Sequence, residues 1–173
     1  MMDVTNYCWY WGKIYRMLKL KPISFGYKIS TTDLKLVYTE SDGVNIEVEA
    51  IPKDRIDIEK YYRIIILFST VAEVRCFTLN FYESNHNGFC ISGEAFLGFY
   101  EVIDSKKLQE DINKYDPKRR FNLKHYIVAG YDSYVELIAS TYSINVTNTA
   151  DYKKCGLSPL SVGGASIARR KEN

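Results

Sequence analysis

A strict alternation of apolar and polar residues over 44–50 places the strongest constraint on how this chain folds. The apolar positions are Val44, Ile46, Val48 and Ala50, and the polar positions between them are Asn45, Glu47 and Glu49. Successive side chains of a β-strand point to opposite faces of its sheet. The pattern therefore predicts a strand that buries one face in a core and leaves the other face in water.

Most of the chain carries strand patterns. We predict further strands over residues 24–29, 33–39, 60–69, 73–82 and 122–129. Residues 89–93 and 95–103 form a further strand or a bent pair, and residues 134–146 fit a helix or a strand, of which the β-branched end favours the strand. Residues 60–69 are apolar and β-branched, as in a central strand, and the alternation over 73–82 predicts that Phe77, Leu79 and Phe81 point inward. This many short strands favours a mainly β fold, a two-sheet antiparallel β-sandwich. The alternative is an α+β arrangement with a helix on one sheet.

Two segments predict short peripheral helices. Residues 7–20 are aromatic and basic and end at Pro22, which is typical of a short amphipathic helix. In residues 105–115, Leu108, Ile112 and Tyr115 recur at helical spacing. Asp104 precedes this second segment and is expected to cap the helix.

Length and charge predict one domain with two basic ends. A chain of 173 residues has the size of a single domain with its own core. We divide it into a basic aromatic extension over 1–21, a β-sandwich over 22–147 and an irregular tail over 148–173. The net charge is +3 in residues 1–21, +3 in residues 151–173 and −4 between them. A mildly acidic body between two basic ends is not typical of a nucleic-acid-binding protein, so nucleic acid is not an expected partner.

The cysteine pattern predicts free thiols. The four cysteines are Cys8, Cys76, Cys90 and Cys155, and no two of them form a C-x-x-C pair. We expect buried free thiols in a reducing compartment. With two histidines and no ligand spacing, we expect no metal site. Residues 1–20 lack the apolar stretch of a signal peptide, and no apolar run predicts a membrane helix, so we expect a cytosolic protein without membrane contacts.

The candidate catalytic groups have simpler explanations. Cys90 with His86 or His125 would form the thiol–imidazole pair of a cysteine-dependent hydrolase, but a core thiol and a turn histidine account for the pattern. Glu47 and Glu49 lie about 7 Å apart on one strand face, as on any solvated sheet. No P-loop, G-x-G-x-x-G or G-x-S-x-G motif occurs. We therefore expect no enzymatic activity and no cofactor.

One segment near the start suggests an alternative function. Cys8-Trp9-Tyr10-Trp11-Gly12 resembles the opening of the Src-homology domains that bind phosphotyrosine. Those domains read the phosphate with an arginine on the strand after the first helix, in a Phe-Leu-Val-Arg-like context, and this sequence has none there. A phosphopeptide-binding module is kept as the alternative function.

The longest similarity to a known family runs over residues 23–147. The stretch from Gly43, GVNIEVEAIPKDRIDIEKYYRIIILFS, is followed by EVRCFTLNFY, GFCISGEAFLGFYEV and LKHYIV. In this order and spacing the chain resembles the small host-range proteins of poxviruses such as vaccinia and myxoma virus. It departs from the family at both ends, and its turn over 84–88 is shorter than in the vaccinia member.

The resemblance implies a non-enzymatic viral antagonist with a β-sandwich fold that acts in the host cytoplasm. Several family members bind interferon-inducible restriction factors of the sterile-alpha-motif type through loops at one edge of the sandwich. In this chain, the loops that suit such contacts are charged or carry an aromatic residue. The candidate partner-binding residues are Tyr38, Asp42, Lys53, Asp54, Arg55, Glu83, Asn85, His86 and Asn87.

Overall fold

Strands make up most of the part of the chain that the structure describes. The computed structural model covers residues 7–10, 13–54, 61–85, 88–93 and 97–148. The strands are β1 (Tyr7–Tyr10), β2 (Lys13–Arg16), β3 (Leu18–Pro22), β4 (Tyr27–Ile29), β5 (Lys35–Thr39), β6 (Gly43–Pro52), β7 (Tyr62–Phe77), β8 (Phe89–Ile91), β9 (Phe99–Ile103), β10 (Lys124–Ala129) and β11 (Tyr134–Asn148). The helices are α1 (Phe81–Ser84) and α2 (Lys106–Tyr115). The prediction of a mainly β fold is confirmed.

Nine of the eleven strands in the described ranges belong to one sheet. Its order is β4-β6-β7-β11-β10-β9-β3-β8, and β5 pairs with β6 along the same edge as β4. β3 and β8 run parallel, and the other neighbours are antiparallel. β1 and β2 form a separate antiparallel pair.

Two long strands curl this sheet into a half-barrel. β7 and β11 pair along their whole length, with a bulge between Ile138 and Ala139, and bulges increase local twist. β6 pairs with only the first half of β7. The two strands predicted over 60–69 and 73–82 are replaced by one strand, Tyr62–Phe77, within which Thr70 has a φ of 51°. Because hydrogen bonding continues across the whole curl, the predicted two-sheet sandwich is not confirmed.

The alternating residues of β6 line the core inside the curl. The four apolar positions over 44–50 are each at most 2% exposed, which confirms the prediction for this strand. On β7, the ring of Phe68 packs against Phe99 of β9 and Tyr126 of β10, with centroids 5.9 and 5.5 Å apart. Strands from both limbs of the sheet therefore share one apolar core, whose burial is the main favourable contribution to folding.

A second apolar cluster lies on the outer face of the sheet. Its buried members are Leu20, Phe81, Tyr100, Val102, Ile127, Ala129 and Tyr134. Tyr100 and Ile127 belong to this cluster, whereas their chain neighbours Phe99 and Tyr126 belong to the inner core. β9 and β10 are thus buried on both faces.

The helix predicted over residues 7–20 is wrong. This segment contains β1, β2 and the start of β3, and β3 enters the main sheet between β9 and β8. Leu20 pairs with Val102 and is 1% exposed, so pairing and burial decide its conformation against the local pattern. Residues 18–21, which the predicted division assigns to the N-terminal extension, pair with β8 and β9 in the main sheet. Of the predicted tail over 148–173, Asn148 ends β11 and residues 149–173 lie outside the described part of the chain.

The helix predicted over residues 105–115 is present as α2. Its N-cap is Ser105, whose hydroxyl oxygen accepts a hydrogen bond from Leu108 N at 3.2 Å. Asp104, the predicted cap, instead lies in the turn directly after β9 and has a φ of 54°. The prediction is therefore right for the helix and wrong by one residue for its cap.

The chain before β9 closes the curl against β4. Ile29 N donates to Leu97 O at 3.1 Å, and Ala129 N donates to Gly98 O at 2.7 Å. Gly98 lies at this junction with a φ of 82°, and a Cβ atom there would stand 2.7 Å from Ile29 Cβ. The close approach of three segments at this point requires glycine.

Candidate functional site

The predicted partner-binding residues near β6 do not meet. Tyr38 is 68% exposed on β5, and Asp42 lies in the turn that precedes β6. Lys53 and Asp54 follow β6 at its opposite end. The rise of a ten-residue strand separates the two loops by roughly 30 Å, so one small partner surface does not contact both.

Lys53 has a structural role at its end of β6. Its Nζ donates to Ser24 Oγ at 2.8 Å, and its backbone N donates to Gly26 O at 3.1 Å. These bonds tie the end of β6 to the segment before β4. Asp54 beside it is exposed. Three further predicted residues lie outside the described part of the chain: Arg55, His86 and Asn87.

Asp42 shapes the turn between β5 and β6. Its Oδ2 accepts hydrogen bonds from the hydroxyls of Thr39 at 3.0 Å and Ser41 at 3.1 Å. Its backbone N donates to Thr39 Oγ1 at 3.1 Å. The carboxylate therefore stabilises the turn, and it is also exposed for contact with a partner.

Two large apolar side chains are exposed beside α1. Leu79, which the alternation placed in the core, is 56% exposed, and Tyr131 in the turn between β10 and β11 is 65% exposed. The chain leaves β7 after Phe77, so the alternation ends there and Phe81 is buried from the helix instead. Glu83, a predicted partner-binding residue, is exposed on α1.

Asn80 fixes this arrangement. Its Oδ1 accepts hydrogen bonds from Tyr82 N at 2.9 Å and Glu83 N at 3.1 Å, which caps α1. Its Nδ2 donates to Tyr131 O at 2.6 Å. One side chain thus joins α1 to the β10–β11 turn. The α1-end surface consists of Leu79, Asn80, Glu83, Tyr131 and Asp132.

The helix beneath this surface is anchored on its buried side. Asn85, another predicted partner-binding residue, is half-buried, and its Nδ2 donates to Phe81 O at 2.9 Å. The ring of Phe81 is fully buried and packs 5.1 Å from that of Tyr134. The hydroxyls of Tyr82 and Tyr100 are 2.8 Å apart, and burial, with a contribution from Tyr100, raises the pKa of Tyr82. The four-residue helix is therefore held in place by side chains on two sides.

The sequence contains a signal for α1, although the apolar–polar alternation over 73–82 predicts a strand at the same residues. Asn80 followed three residues later by Glu83 has the spacing of a helix-capping box. The exposure of Tyr131 has no such local signal, since a tyrosine in a turn is exposed or buried according to what the rest of the fold places beside it.

We expect Asn80→Ala to lower the free energy of unfolding by about 1–2 kcal/mol, because two helix N–H groups and a turn carbonyl lose their partner. Asn80→Ser is the matched control, since a serine hydroxyl oxygen still accepts at the helix N-cap but carries no amide group that donates to Tyr131 O. It should retain most of the stability that the alanine variant loses. Urea unfolding of the three proteins measures the differences, and equal stabilities would contradict the capping role.

A network of charged groups joins α2 to β7. Lys107 Nζ lies 2.9 Å from a carboxylate oxygen of Glu73 and 3.3 Å from Asp111 Oδ2, and the Tyr115 hydroxyl donates to Glu73. The hydrogen bond to Glu73 is the main cause that raises the pKa of Lys107. The open cleft beside these groups has a volume of about 570 Å³. Lys107 pairs with both carboxylates, Glu73 on β7 and Asp111 on α2. These ion pairs attach the helix to the sheet.

Ser105 and His125 form a buried hydrogen bond at the start of α2. Ser105 Oγ lies 2.8 Å from His125 Nδ1, and the two residues are 7% and 4% exposed. Burial, together with the charge of Lys107, lowers the pKa of His125 to about 4. The imidazole is therefore neutral at pH 7, so that Nδ1 can accept from the serine hydroxyl, whose oxygen accepts from Leu108 N. Since Ser105 Oγ also caps α2, the pair stabilises the fold and is not an accessible nucleophile and base.

The thiols differ from their prediction. Cys76 and Cys90 are free, but both are exposed and not buried. Cys90 lies on β8, the last strand of the sheet order in the described ranges. His125 is buried and bonded to Ser105, so the structure does not bring it to the Cys90 thiol. This arrangement does not favour a thiol–imidazole hydrolase.

Comparison of the chain with protein-family models, with curated proteins and with solved structures finds no match in any of the three. Within the described residues, no group of three or more His, Cys, Asp or Glu side chains is arranged to hold a metal ion. No helix in the ranges that the structure covers combines the length and the apolar composition needed to span a membrane.

Proposed function

We propose that this protein is a host-range factor of the poxvirus type, which binds and inhibits an interferon-inducible restriction protein of the sterile-alpha-motif type in the host cytoplasm. It acts by protein–protein contact, without catalysis and without a cofactor. The resemblance of residues 23–147 to that family and the mainly β fold support the proposal. The proposal includes a core between two layers of strands, as in such proteins. The contacts of Phe68 with Phe99 and Tyr126 across the curl support this part of the proposal.

The observation that carries the proposal is the α1-end surface. Leu79 and Tyr131 are both more than half exposed, although burying a large apolar side chain stabilises a protein by about 1.5–3 kcal/mol. Tyrosine has few rotatable bonds and a ring that is apolar except at its hydroxyl, so it is a frequent anchor in interfaces. Asn80 holds the backbone of both segments, and a partner that covers them therefore orders little additional chain.

Acidic side chains border the two apolar ones. Glu83 and Asp132 are both exposed on this surface. Charges at the rim of an interface mainly set the association rate and discriminate between partners. The complementary surface of the partner should therefore offer an apolar pocket for Tyr131 with basic residues around it.

Affinity capture from lysate of interferon-treated mammalian cells tests the proposal. Mass spectrometry of the proteins bound by the wild-type chain should show enrichment of a restriction factor with a sterile alpha motif. The double variant Leu79→Ser with Tyr131→Ser should reduce that enrichment about tenfold or more, because truncation of interface anchors costs at least about 1.4 kcal/mol.

Tyr38→Ser is the matched control for that variant. Tyr38 is 68% exposed, close to the 65% of Tyr131, but it lies on β5. Its replacement should leave capture unchanged. Loss of capture with the Tyr38 variant alone would move the binding surface to the β5–β6 turn, and a wild-type capture without any such restriction factor would refute the proposed function.

A further inference from the structure

Positive charge without a partner is concentrated where α2 ends. Most cations of the described sheet and helices form ion pairs within the fold, such as Lys19 with Asp104 at 3.4 Å and Lys124 with Glu101 at 3.0 Å. Four exposed cations at and after the last turn of α2 have no carboxylate within 4.0 Å among the described residues. They are Lys114, Lys118, Arg119 and Arg120.

Asp116 fixes the shape of the loop that carries them. Its side chain is buried, and its Oδ2 accepts a hydrogen bond from Phe121 N at 2.6 Å. Arg119 N donates to Asp116 O at 3.0 Å, and Arg119 takes a φ of 52°. Burial acts to raise the pKa of Asp116, but backbone donors from Phe121 and Arg120 and the nearby guanidinium charges outweigh it and hold that pKa below its usual value. The carboxylate is ionised at neutral pH and keeps the loop in this conformation.

The loop presents an aromatic ring among its cations. Phe121 is 41% exposed, and the Arg120 guanidinium lies 5.3 Å from the centroid of its ring. The Arg119 guanidinium donates to Asn113 Oδ1 at 3.1 Å, which orients it on the end of the helix. Arginine and aromatic side chains dominate the energetics of protein interfaces, and a guanidinium binds a carboxylate through two parallel hydrogen bonds. The basic loop consists of Lys114, Lys118, Arg119, Arg120 and Phe121.

We propose that the basic loop is a docking site for an acidic segment of a protein partner. Carboxylates of that segment pair with the four cations, and an apolar residue between them packs on Phe121. This surface is separate from the α1-end surface, because the two lie at opposite ends of β10. The two proposals can therefore be tested independently, because they concern different surfaces.

The charge of the rest of the body favours a short acidic peptide over a nucleic acid. Without the four cations of the basic loop, residues 22–150 carry 10 basic and 18 acidic side chains. The net negative charge of the rest of the body would repel a polyanion longer than the loop, whereas a short acidic segment meets less of this charge.

Fluorescence anisotropy with the full chain and two probes tests this assignment. One probe is a fluorescein-labelled peptide of glutamates with a central leucine, and the other is an oligothymidylate with the same number of negative charges. The peptide should bind saturably, more tightly than the oligonucleotide, and more weakly as salt is added. Tighter binding of the oligonucleotide, or no saturable binding of the peptide, would overturn the proposal.

Matched variants locate the site. The combination of Lys118→Gln, Arg119→Gly and Arg120→Gln should weaken peptide binding about tenfold or more, and glycine suits the φ at position 119, so the fold is retained. Lys19→Gln, Lys35→Gln and Lys106→Gln remove the same charge from paired sites and should change affinity less than about twofold. Circular dichroism verifies that both proteins fold. Equal losses in the two variants would overturn the assignment to the basic loop.

Discussion

Gly98→Ala is expected to lower the free energy of unfolding by about 3 kcal/mol. Gly98 has a φ of 82°, a conformation that costs an L side chain about 1–2 kcal/mol. A Cβ atom there would also lie 2.7 Å from Ile29 Cβ and 2.9 Å from Ala129 O. Neither atom is the end of a flexible side chain, so relief of the clash requires a shift of the backbone where the curl closes.

Gly26→Ala separates the two contributions. Gly26 also has a φ of 82°, but nothing lies within 4 Å of the position that its Cβ would take. Its replacement should cost only the conformational strain, about 1 kcal/mol. Urea unfolding of both variants and the wild type gives the difference. If the two substitutions cost the same, the tight junction between Gly98, Ile29 and Ala129 is disproved.

Acidification is expected to destabilise the protein through His125, by up to about 3 kcal/mol between pH 6.5 and pH 4. Burial is the main reason that the folded-state pKa of His125 is about 4, against 6.5 for an ordinary histidine. Between these values the unfolded chain binds a proton that the folded chain does not, so protonation favours unfolding. Above pH 6.5 the stabilisation is fully present, and it is lost as the pH falls towards 4.

The surroundings of His125 explain the size of this effect. The positive charges of Lys107 and Arg75 disfavour protonation of His125, whereas the negative charge of Glu73 partly offsets them. Protonation would also remove the lone pair of Nδ1 that accepts from the Ser105 hydroxyl. Nε2, the other ring nitrogen, has no hydrogen-bond partner among the described residues, so nothing there favours the charged ring.

His125→Asn isolates the histidine from other titrating groups. The asparagine side chain places an oxygen near the position of Nδ1, where it still accepts from Ser105 and does not titrate. Carboxylates such as Glu136 and Asp116 titrate in both proteins. The difference in free energy of unfolding between wild type and variant should therefore change steadily between pH 6.5 and pH 4, and a difference that stays constant would rule out His125 as the cause.

The parts of the fold that were predictable are those with a complete local pattern. Residues 44–50 alternate without a break, and they form β6 with its apolar side buried. Leu108, Ile112 and Tyr115 recur at helical spacing, and α2 contains all three. The basic aromatic segment over 7–20 lacks a pattern of this kind, and its assignment to a helix failed because β3 pairs with β9 instead.

The candidate site was less predictable, because its members are distant in sequence. In the sequence, Leu79 continues the alternation that includes Phe77. In the structure, the strand ends at Phe77, and Asn80 caps a helix that begins at Phe81. The same cap bonds to Tyr131, 51 residues further along the chain. Charge alone makes Glu83 a candidate in the sequence, and its position on the same surface as two exposed apolar side chains cannot be predicted from the sequence.

By itself, the sequence determined that this chain is mainly β and which face of β6 is buried, because the two-residue period of a strand is a property of the local chain. Only the tertiary structure decided that one sheet curls on itself, which apolar side chains stay exposed and which cations stay unpaired. Arg75 pairs with Glu136 at a separation of 61 residues, whereas the cations of the basic loop form no ion pair within 4.0 Å in the described part of the chain. Pairing and burial of this kind depend on distances in space, which no window of sequence contains.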